Sequence, residues 1–519
     1  MSARRSGTGS TPASPRDHTW SGCKRKIARA SALIAFAVAL SADAETRPRY
    51  AGKVDGALLG APATLDPAAA QSHAELTVTG MIFDTLYRIE ITGSVEPRLA
   101  ATKPDLDSTK LVARIAIRKG VHFHDGSALT SADVAASLER SRTGAGKWAL
   151  APIATIKHST DEIELTLRSP IDVATMLSLA PTAITRQGKP PGATPNGTGP
   201  FKLSSLDRTN RKLVLDAFDD YFAGRTYLDR VVLHWFDKAD AEAKRFETDD
   251  GQLSSRGVAA FTGSQPKFRA AAVDGPKSLL VYVGFGKKHA DVLREPEFRR
   301  ALDLALDRNA LVSVNRGEAV VPAGEPVPVE AGAPVPTPLM RTGDIALARA
   351  ALSVAARRVP ALMPTSASQL TLEVAFEDTR PDDREIAERV ARALGKLGIN
   401  TTLAGLSGTE LRDRIARGTT DLYVNQLAAP LQVPWAWWSA AFAVGGDDWA
   451  STKLAAGQLT MEVARKEFAA RHPIVPLMFR GVRMWHRADL RGLRFDATGR
   501  PCLEEVFVFG VPVKTGAAP

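Results

Sequence analysis

Apolar and polar residues alternate along several short segments of the chain, and this period of two predicts half-buried β-strands. The clearest cases are "DEIELTLRS" at residues 161–169 and "LTLEVAF" at residues 370–376. Residues 212–218 and 228–236 follow the same pattern. We therefore predict four strands that are widely separated along the sequence.

Other segments carry apolar residues at helical spacing. Ile386, Val390, Leu394 and Leu397 would share one face of a helix, and residues 297–312 also read as helical. Pro- and Gly-rich segments at 189–200 and 322–338 predict loops or crossovers. Because strands and helices alternate over 519 residues without an internal repeat, the pattern predicts an α/β or α+β protein with more than one lobe.

The composition is that of a soluble globular protein, with 44% hydrophobic and 24% charged residues. The net charge is +10, and seven of the 67 basic residues lie within residues 1–44. The remaining excess is dispersed, without a basic stripe interleaved with aromatic residues. The sequence therefore predicts no nucleic-acid partner.

The N-terminus resembles an export signal. Residues 24–29 are basic, residues 30–40 are apolar, and Ala42 and Ala44 form a small-residue cleavage site. We predict cleavage after Ala44 and a periplasmic mature protein. The alternative is an uncleaved anchor, but the apolar run is shorter than the ~20 residues of a membrane span. More than twenty residues precede the basic cluster, so either Met1 is not the true start or the basic region is unusually long.

The chain has two cysteines, and neither fits a disulfide or a zinc pattern. Cys23 precedes the apolar run, so it cannot be the lipid-bearing cysteine that follows a lipoprotein signal. Cleavage after Ala44 would leave Cys502 alone. A lone cysteine with no identified base is also a poor nucleophile.

Residues 120–140, "GVHFHDGSALTSADVAASLER", pose a choice between a metal site and a scaffold. His122 and His124 lie one residue apart, but the sequence supplies no obvious third and fourth ligand. Asp125-Gly126 predicts a type I′ hairpin turn. Thr130 or Ser131 can then cap a helix. We favour the scaffold and expect no metal and no cofactor.

This stretch resembles a signature of the bacterial extracellular solute-binding proteins of the peptide and nickel class, family 5. Further resemblances follow in the family's order, and together they cover nearly all of residues 55–510. They are "LDPAAAQSHAELTVTGMIFDTL" at 65–86, "VEPRLA" at 95–100, "GTGPFKL" at 197–203, "EFRRALDLALDRNALV" at 297–312, "ARALGKLGINTTL" at 391–403 and "PIVPLMF" at 473–479.

The resemblance implies an α/β, two-lobed periplasmic binding protein fold of the type II, large peptide-binding class. Its first domain is discontinuous and its ligand cleft is hinged. The expected division is a signal peptide at 1–44, lobe 1 at 45–89, 195–275 and 474–519, a small second domain of lobe 1 at 90–194, and lobe 2 at 276–473.

The resemblance also implies two ligand-binding regions. One is a strand with Gln71, Ser72 and His73, to which an extended peptide could add by β-augmentation. The other is residues 421–442, where we expect ligand contacts from the residues Asn425, Gln426, Trp435, Trp437 and Trp438. The tryptophans offer a stacking or cation–π surface, and the alternative is that they pack in the core or between the lobes.

One departure from the family bears on the ligand. Peptide binders of this family usually place an aspartate in this loop to pair with the ligand's α-ammonium, and Pro430 matches that position here. Leu427 matches the usual tryptophan, and no acidic residue lies between Asp421 and Asp447. A buried ammonium needs a partner. Either the ligand is not a peptide with a free N-terminus, or another carboxylate has taken over.

Three functions remain open at this point. The resemblance favours a monomeric transport receptor that captures a peptide or small molecule for the permease subunits of an ABC importer, meeting the membrane only there. The second is a sensor or scaffold without its own transporter, or a binder of a non-peptide ligand. The third is an enzyme, which we do not expect, because the sequence has no G-x-S-x-G, H-E-x-x-H or Gly-rich nucleotide motif.

Overall fold

A computed structural model describes residues 50–248, 251–255, 266, 270–314, 320–328, 343–363, 370–428 and 434–509. The predicted signal with Ala44 lies outside these residues, and so does Pro430.

The strands follow one another along the chain as β1 (Lys53–Leu59), β2 (Tyr87–Ile89), β3 (Val95–Pro97), β4 (Asp105–Leu106), β5 (Val112–Ala116), β6 (Ile153–His158), β7 (Glu162–Leu167), β8 (Phe201–Asp207), β9 (Lys212–Ala217), β10 (Arg230–Phe236), β11 (Leu253–Ser255), β12 (Ala271–Asp274), β13 (Leu279–Phe285), β14 (Val320–Pro322), β15 (Thr371–Glu377), β16 (Asn400–Leu406), β17 (Leu422–Ala428), β18 (Val475–Arg480), β19 (Arg483–His486), β20 (Leu490–Arg491), β21 (Arg494–Phe495), β22 (Pro501–Cys502) and β23 (Phe507–Val508).

The helices are α1 (His73–Ile82), α2 (Ser131–Thr143), α3 (Lys147–Leu150), α4 (Val173–Met176), α5 (Ala239–Glu247), α6 (Ala290–Leu293), α7 (Pro296–Ala305), α8 (Arg308–Val314), α9 (Ile345–Arg358), α10 (Pro381–Lys396), α11 (Gly408–Arg417), α12 (Pro434–Val444), α13 (Trp449–Ala455) and α14 (Met461–Arg471). The four predicted strands are confirmed as β7, β9, β10 and β15. The predicted helix at 386–397 is confirmed as α10, whereas residues 297–312 form two helices, α7 and α8, rather than one.

Two sheets form the framework of the two lobes. The first has seven strands in the order β12-β19-β11-β1-β10-β9-β8, and the second has six in the order β14-β18-β13-β17-β15-β16. β13 is buried along its whole length. Neighbouring strands cover both of its edges, and other residues cover both of its faces. Edge strand β16 is mostly exposed, in keeping with its polar sequence.

Helices bury the faces of the second sheet. Along α10 the apolar residues Ile386, Val390 and Leu394 recur at helical spacing and are buried in the core beneath the sheet. A separate core within residues 86–184 surrounds the smaller sheet β4-β5-β7-β6. The two large sheets and this four-stranded sheet therefore pack against separate apolar cores, as expected for separate lobes and domains.

Within the described residues, two segments of the chain connect the two large sheets. Residues 275–278 lead from β12 to β13, and residues 481–482 lead from β18 to β19. We expected the second passage at residue 474, but residues 475–480 pair with β13 and β14 in the second sheet. The passage therefore comes after Arg480, because β18 is long enough to complete the second sheet first. The other predicted boundaries remain predictions.

The stretch at 120–140 forms a hairpin followed by a capped helix, as predicted. Thr130 caps α2 and forms a capping box with Asp133. The turn type differs from the prediction: Gly126 has φ 82°, whereas Asp125 is not among the residues with positive φ. Gly126 N–H donates to Phe123 O and Phe123 N–H to Ser127 O, so the loop has three residues and not the two of a type I′ turn.

The hairpin is fixed against the glycine-rich segment 197–199. His124 N–H donates to Gly197 O (2.9 Å), and its ring Nε2 donates to Gly199 O (3.0 Å). A Cβ on Gly197 would lie 1.9 Å from Ile82 O, so only glycine fits. His124 is thus a scaffold residue that holds the hairpin on the end of α1.

Candidate functional site

Two adjoining cavities lie between the lobes. The smaller, of about 120 Å³, and the larger, of about 540 Å³, share four lining residues: Gln71, Arg412, Asn425 and Gln426. Gln71 comes from the first lobe, and the other three come from α11 and β17 of the second. A compartment walled by both lobes can enclose a small molecule and release it when the lobes separate.

The predicted strand at residues 71–73 is instead a helix N-terminus. Ser72 is the N-cap of α1, and His73 is its first residue. The backbone N–H groups of Gln71 and Ser72 donate to Glu75 Oε2 at 3.0 and 2.9 Å. The capping box uses the donors that a β-augmenting peptide would need, so β-augmentation at this segment was a wrong expectation. All three predicted residues nevertheless line the smaller cavity.

His73 brings an uncharged imidazole to the smaller cavity. Its Nε2 atom is shielded from solvent and has no hydrogen-bond partner in the described part of the chain. Burial lowers the pKa of His73 to about 4, because desolvation disfavours the charged ring. At neutral pH the ring can therefore offer one donor and one acceptor to a solute, but no charge.

Asn425 and Gln426 lie on β17 and line both cavities. β17 pairs with β13, which places Asn425 opposite Tyr282. Asn425 Oδ1 accepts the backbone N–H of Gln426 (2.8 Å), while Gln426 Nε2 is buried without a partner among the described residues. An unsatisfied amide donor at a cavity wall is suited to a ligand acceptor.

The three tryptophans do not line either cavity, which corrects the expectation of a stacking surface. Trp437 and Trp438 are 0% and 1% exposed in the core of the second lobe. Their rings make edge-to-face contacts with Phe479 and Phe468. Trp435 packs against the core around the smaller sheet. Helix α12 is apolar apart from Ser439, and its residues 436–442 are all buried.

An ion pair next to both cavities joins the two lobes. Arg412 Nη1 of α11 donates to Glu75 Oε1 of α1 at 2.7 Å, and the side chain of Glu75 is 0% exposed. Neither residue is among the site residues predicted from the sequence. The spacing Ser72-x-x-Glu75 is a capping-box signal that could have identified Glu75, whereas no local pattern marks Arg412.

Among the described residues, two carboxylates line the smaller cavity, and Glu75 contacts the lining residue Arg412; each of these three has a cationic partner. Glu75 pairs with Arg412, Asp237 with Arg211 at 2.6 Å, and Glu377 with Arg380. Burial alone would raise the pKa of Glu377, but Arg380 and a hydrogen bond from Thr379 hold the pKa of this carboxyl below its usual range. Glu377 is therefore an ionised, internally neutralised carboxylate.

Asp421 cannot serve as the missing acidic anchor. Its side chain is 0% exposed, and His289 Nδ1 lies 2.7 Å from its Oδ1. Its Oδ2 accepts the backbone N–H of Glu373 at 3.0 Å. The carboxylate thus links β15 and the segment before α6 to the start of β17, and it is not free to bind a ligand.

Two tyrosines form an aromatic wall of the larger cavity. Tyr282 and Tyr423 face each other across β13 and β17, with ring centroids 6.3 Å apart. The Tyr423 ring lies over Gly284, where a Cβ would come within 2.2 Å of it. Gly284 therefore makes room for a cavity-lining aromatic ring.

Comparison with known proteins identifies the relatives of the chain. Residues 94–448 match the family model described as "Bacterial extracellular solute-binding proteins, family 5 Middle". The oligopeptide-binding protein AppA of Bacillus subtilis is 24% identical over 285 residues, which cover 51% of this chain and 52% of AppA. The glutathione-binding protein GsiB of Pectobacterium atrosepticum is 25% identical over 283 residues, 51% of this chain and 54% of GsiB. The chain thus matches about half the length of these curated relatives.

Solved structures show the same fold. AppA from Bacillus subtilis in complex with a nonapeptide superposes with a TM-score of 0.71 at 18% identity, covering 89% of this chain and 100% of AppA. AgaA from A. tumefacien R10 in complex with agropinic acid gives 0.68 at 19% identity, covering 88% and 99%. Across the described residues, no helix has the length and apolar character needed to cross a membrane.

Proposed function

Because this chain belongs to the bacterial extracellular solute-binding proteins of family 5, we propose that it captures a small solute between its lobes and delivers it to the permease of an ABC importer. The observation that carries the proposal is the compartment that Gln71 of the first lobe and Asn425 and Gln426 of the second lobe line together. A ligand that touches both lobes favours their closed arrangement, which a permease can distinguish from the open one.

The proposal includes the cellular setting. The chain is exported by its N-terminal signal, is cleaved after Ala44, and acts as a periplasmic monomer without catalysis. Its domains follow the expected division, with the return to lobe 1 moved to residues 481–482. Gln71, Ser72, His73, Asn425 and Gln426 contact the ligand, whereas the tryptophans at 435, 437 and 438 support the fold.

The relatives support a small solute without fixing its class. AppA is described as binding oligopeptides, GsiB glutathione, and AgaA agropinic acid. These solutes differ in size and charge, so the ligand of this chain has to be inferred from its own cavity.

Native mass spectrometry of residues 45–519, purified gently from the periplasm of an exporting host, tests the proposal. We expect a bound solute, and we expect small-angle scattering to show a smaller radius of gyration with the solute than after its removal. A clean mass and an unchanged radius with peptide, nickel and sugar mixtures would argue against transport and for a sensor or scaffold.

A further inference from the structure

The larger cavity has an unusual charge pattern for a site that would bind a free peptide. Arg412 is the one charged residue among the described residues that line it. The remaining lining residues are apolar, aromatic or uncharged polar, and include Leu76, Trp148, Tyr282 and Tyr423. A ligand in this cavity meets a mostly apolar wall with one cationic group at the end shared with the smaller cavity.

Among the described residues that line the larger cavity, none offers a carboxylate to a ligand ammonium. The sequence between the end of β17 and Asp447 contains no aspartate or glutamate. The carboxylates of the smaller cavity, Asp237 and Glu377, are paired with arginines. A buried cation without a counter-charge is costly, so a solute with a free ammonium group is disfavoured.

Arg412, in contrast, has hydrogen-bonding capacity to spare. Within the described part of the chain, its guanidinium donates once, through Nη1, to Glu75. A guanidinium has five N–H donors in a planar fork, so the other nitrogen atoms can bind a second oxyanion. The Arg412 side chain is 30% exposed, and the residue lines both cavities.

Glu75 does not cancel this capacity. Its carboxylate also accepts the backbone N–H groups of Thr64, Gln71 and Ser72, at 3.2, 3.0 and 2.9 Å. The N-terminus of α1 therefore shares in the stabilisation of the Glu75 charge. A second anion at Arg412 completes the coordination of the guanidinium without displacing Glu75.

We propose that the solute carries an acidic group, and no free ammonium group, on a largely apolar body, and that Arg412 holds the acidic group where the two cavities meet. This inference rests on the proposed function. N-blocked short peptides and non-peptide organic carboxylates share this chemistry. His73 of the smaller cavity and Gln426, which lines both cavities, each have an Nε2 atom without a partner in the described structure and can supply further polar contacts.

Titration calorimetry of the mature chain with four probes tests the inference. The probes are N-acetyl-Leu-Leu, its C-terminal amide, unblocked Leu-Leu, and phenylbutyrate as a non-peptide carboxylate. We expect N-acetyl-Leu-Leu to bind about 10-fold or more tightly than the amide and than unblocked Leu-Leu, the loss expected when a charged group lacks its partner. Phenylbutyrate tells the two sources apart: binding tighter than that of N-acetyl-Leu-Leu identifies a non-peptide acid.

Variants of α11 assign the effect to the guanidinium. Arg412→Gln should abolish the preference for the acid over the amide, and Arg412→Lys should restore part of it. Arg417→Gln is the matched control, since Arg417 is exposed on the same helix and lines neither cavity. Circular dichroism confirms that each variant is folded.

The outcomes separate this inference from the proposed function. Tighter binding of unblocked Leu-Leu, or an acid preference that survives Arg412→Gln, overturns the inference and leaves solute binding intact. If no probe binds, the solute found in the periplasmic preparation decides: an acid without an ammonium group supports the inference, and an amine or neutral solute overturns it. A periplasmic preparation without any bound solute would contradict both this inference and the proposed function.

Discussion

Burial sets the charge of two histidines that the sequence left ambiguous. His73 borders the smaller cavity, and His124 holds the hairpin on Gly199. Desolvation lowers the pKa of each to about 4, and in His124 the hydrogen bond to Gly199 offsets only part of this effect. At the residue scale, both rings are therefore neutral at pH 7, which suits an acceptor or donor role.

The pKa of His124 predicts acid-sensitive stability. A folded pKa below the unfolded value of about 6.5 means that the neutral ring stabilises the fold above pH 6.5, and that this contribution is lost as the pH falls towards 4. We expect wild type to exceed His124→Gln in free energy of unfolding at pH 7, and the difference to narrow by up to about 3 kcal/mol at pH 4. Urea denaturation at both pH values measures it. The exposed His158, replaced by Gln, is the control.

Two substitutions of Trp438 should separate the effect of its side-chain volume on stability from the effect of its unsatisfied hydrogen-bond donor. Its Nε1 atom is buried without a partner in the described structure. Trp438→Phe removes this unsatisfied donor together with part of the ring, so we expect a loss below about 1.5 kcal/mol, whereas Trp438→Ala should cost about 3–5 kcal/mol. Neither change should alter ligand affinity in folded protein. A loss of ligand affinity in folded Trp438→Phe would contradict this prediction and indicate that Trp438 contacts the ligand.

At the scale of elements, the hairpin before α2 and the segment 197–199 act as one joint. Gly199 N–H donates to Ile82 O at 2.9 Å, so the end of α1 is held by the same segment that receives His124. This joint positions α1, and α1 carries Ser72 and Glu75 at its other end. The signature stretch therefore acts on the cavity indirectly, by fixing the helix whose N-terminus lines it.

Gly197→Ala is expected to disrupt this joint. The added Cβ would lie 1.9 Å from Ile82 O, a backbone atom, so the segment has to move. We expect a loss of about 3 kcal/mol, at the upper end of overpacking effects, in thermal or urea unfolding. Gly192→Ala is the matched control, since its Cβ would meet nothing within 4 Å, and we expect it to stay within about 0.5 kcal/mol of wild type.

At the scale of the whole molecule, the two passages between the sheets lie side by side. Gly275 N–H in the first donates to Val482 O in the second at 2.9 Å. Short paired connections of this kind are where hinge bending between lobes is absorbed. The Arg412–Glu75 pair also ties the lobes together, and its Arg412 lines both cavities.

Gly275→Ala should therefore change lobe movement. Its Cβ would lie 2.4 Å from Val482 Cγ2 and 2.8 Å from Phe495 Cγ, which forces the passages apart. We expect an altered difference in radius of gyration between ligand-free and ligand-bound protein, together with a change in affinity of about 5-fold or more. Scattering and calorimetry measure both, with Gly192→Ala as the reference. An unchanged pair of values would place the hinge elsewhere.

The sequence by itself determined the local structure. Alternating residues identified β7 and β15, helical spacing identified α10, and the cap signal at Thr130 or Ser131 identified the start of α2. These signals depend only on residues close together in sequence, so they can be recognised from the sequence alone. The ordered resemblance extended them to a two-lobed fold.

Only the tertiary structure decided which residues meet in the cleft. Arg412 and Glu75 are 337 positions apart in sequence, and their contact depends on how two lobes face each other. The tryptophans show that the sequence has the same limit here. An apolar cluster can have the same composition whether it lines a cavity or fills a core. The type of local element is set by nearby residues, but the direction in which a side chain points is set by long-range packing, which no local pattern encodes.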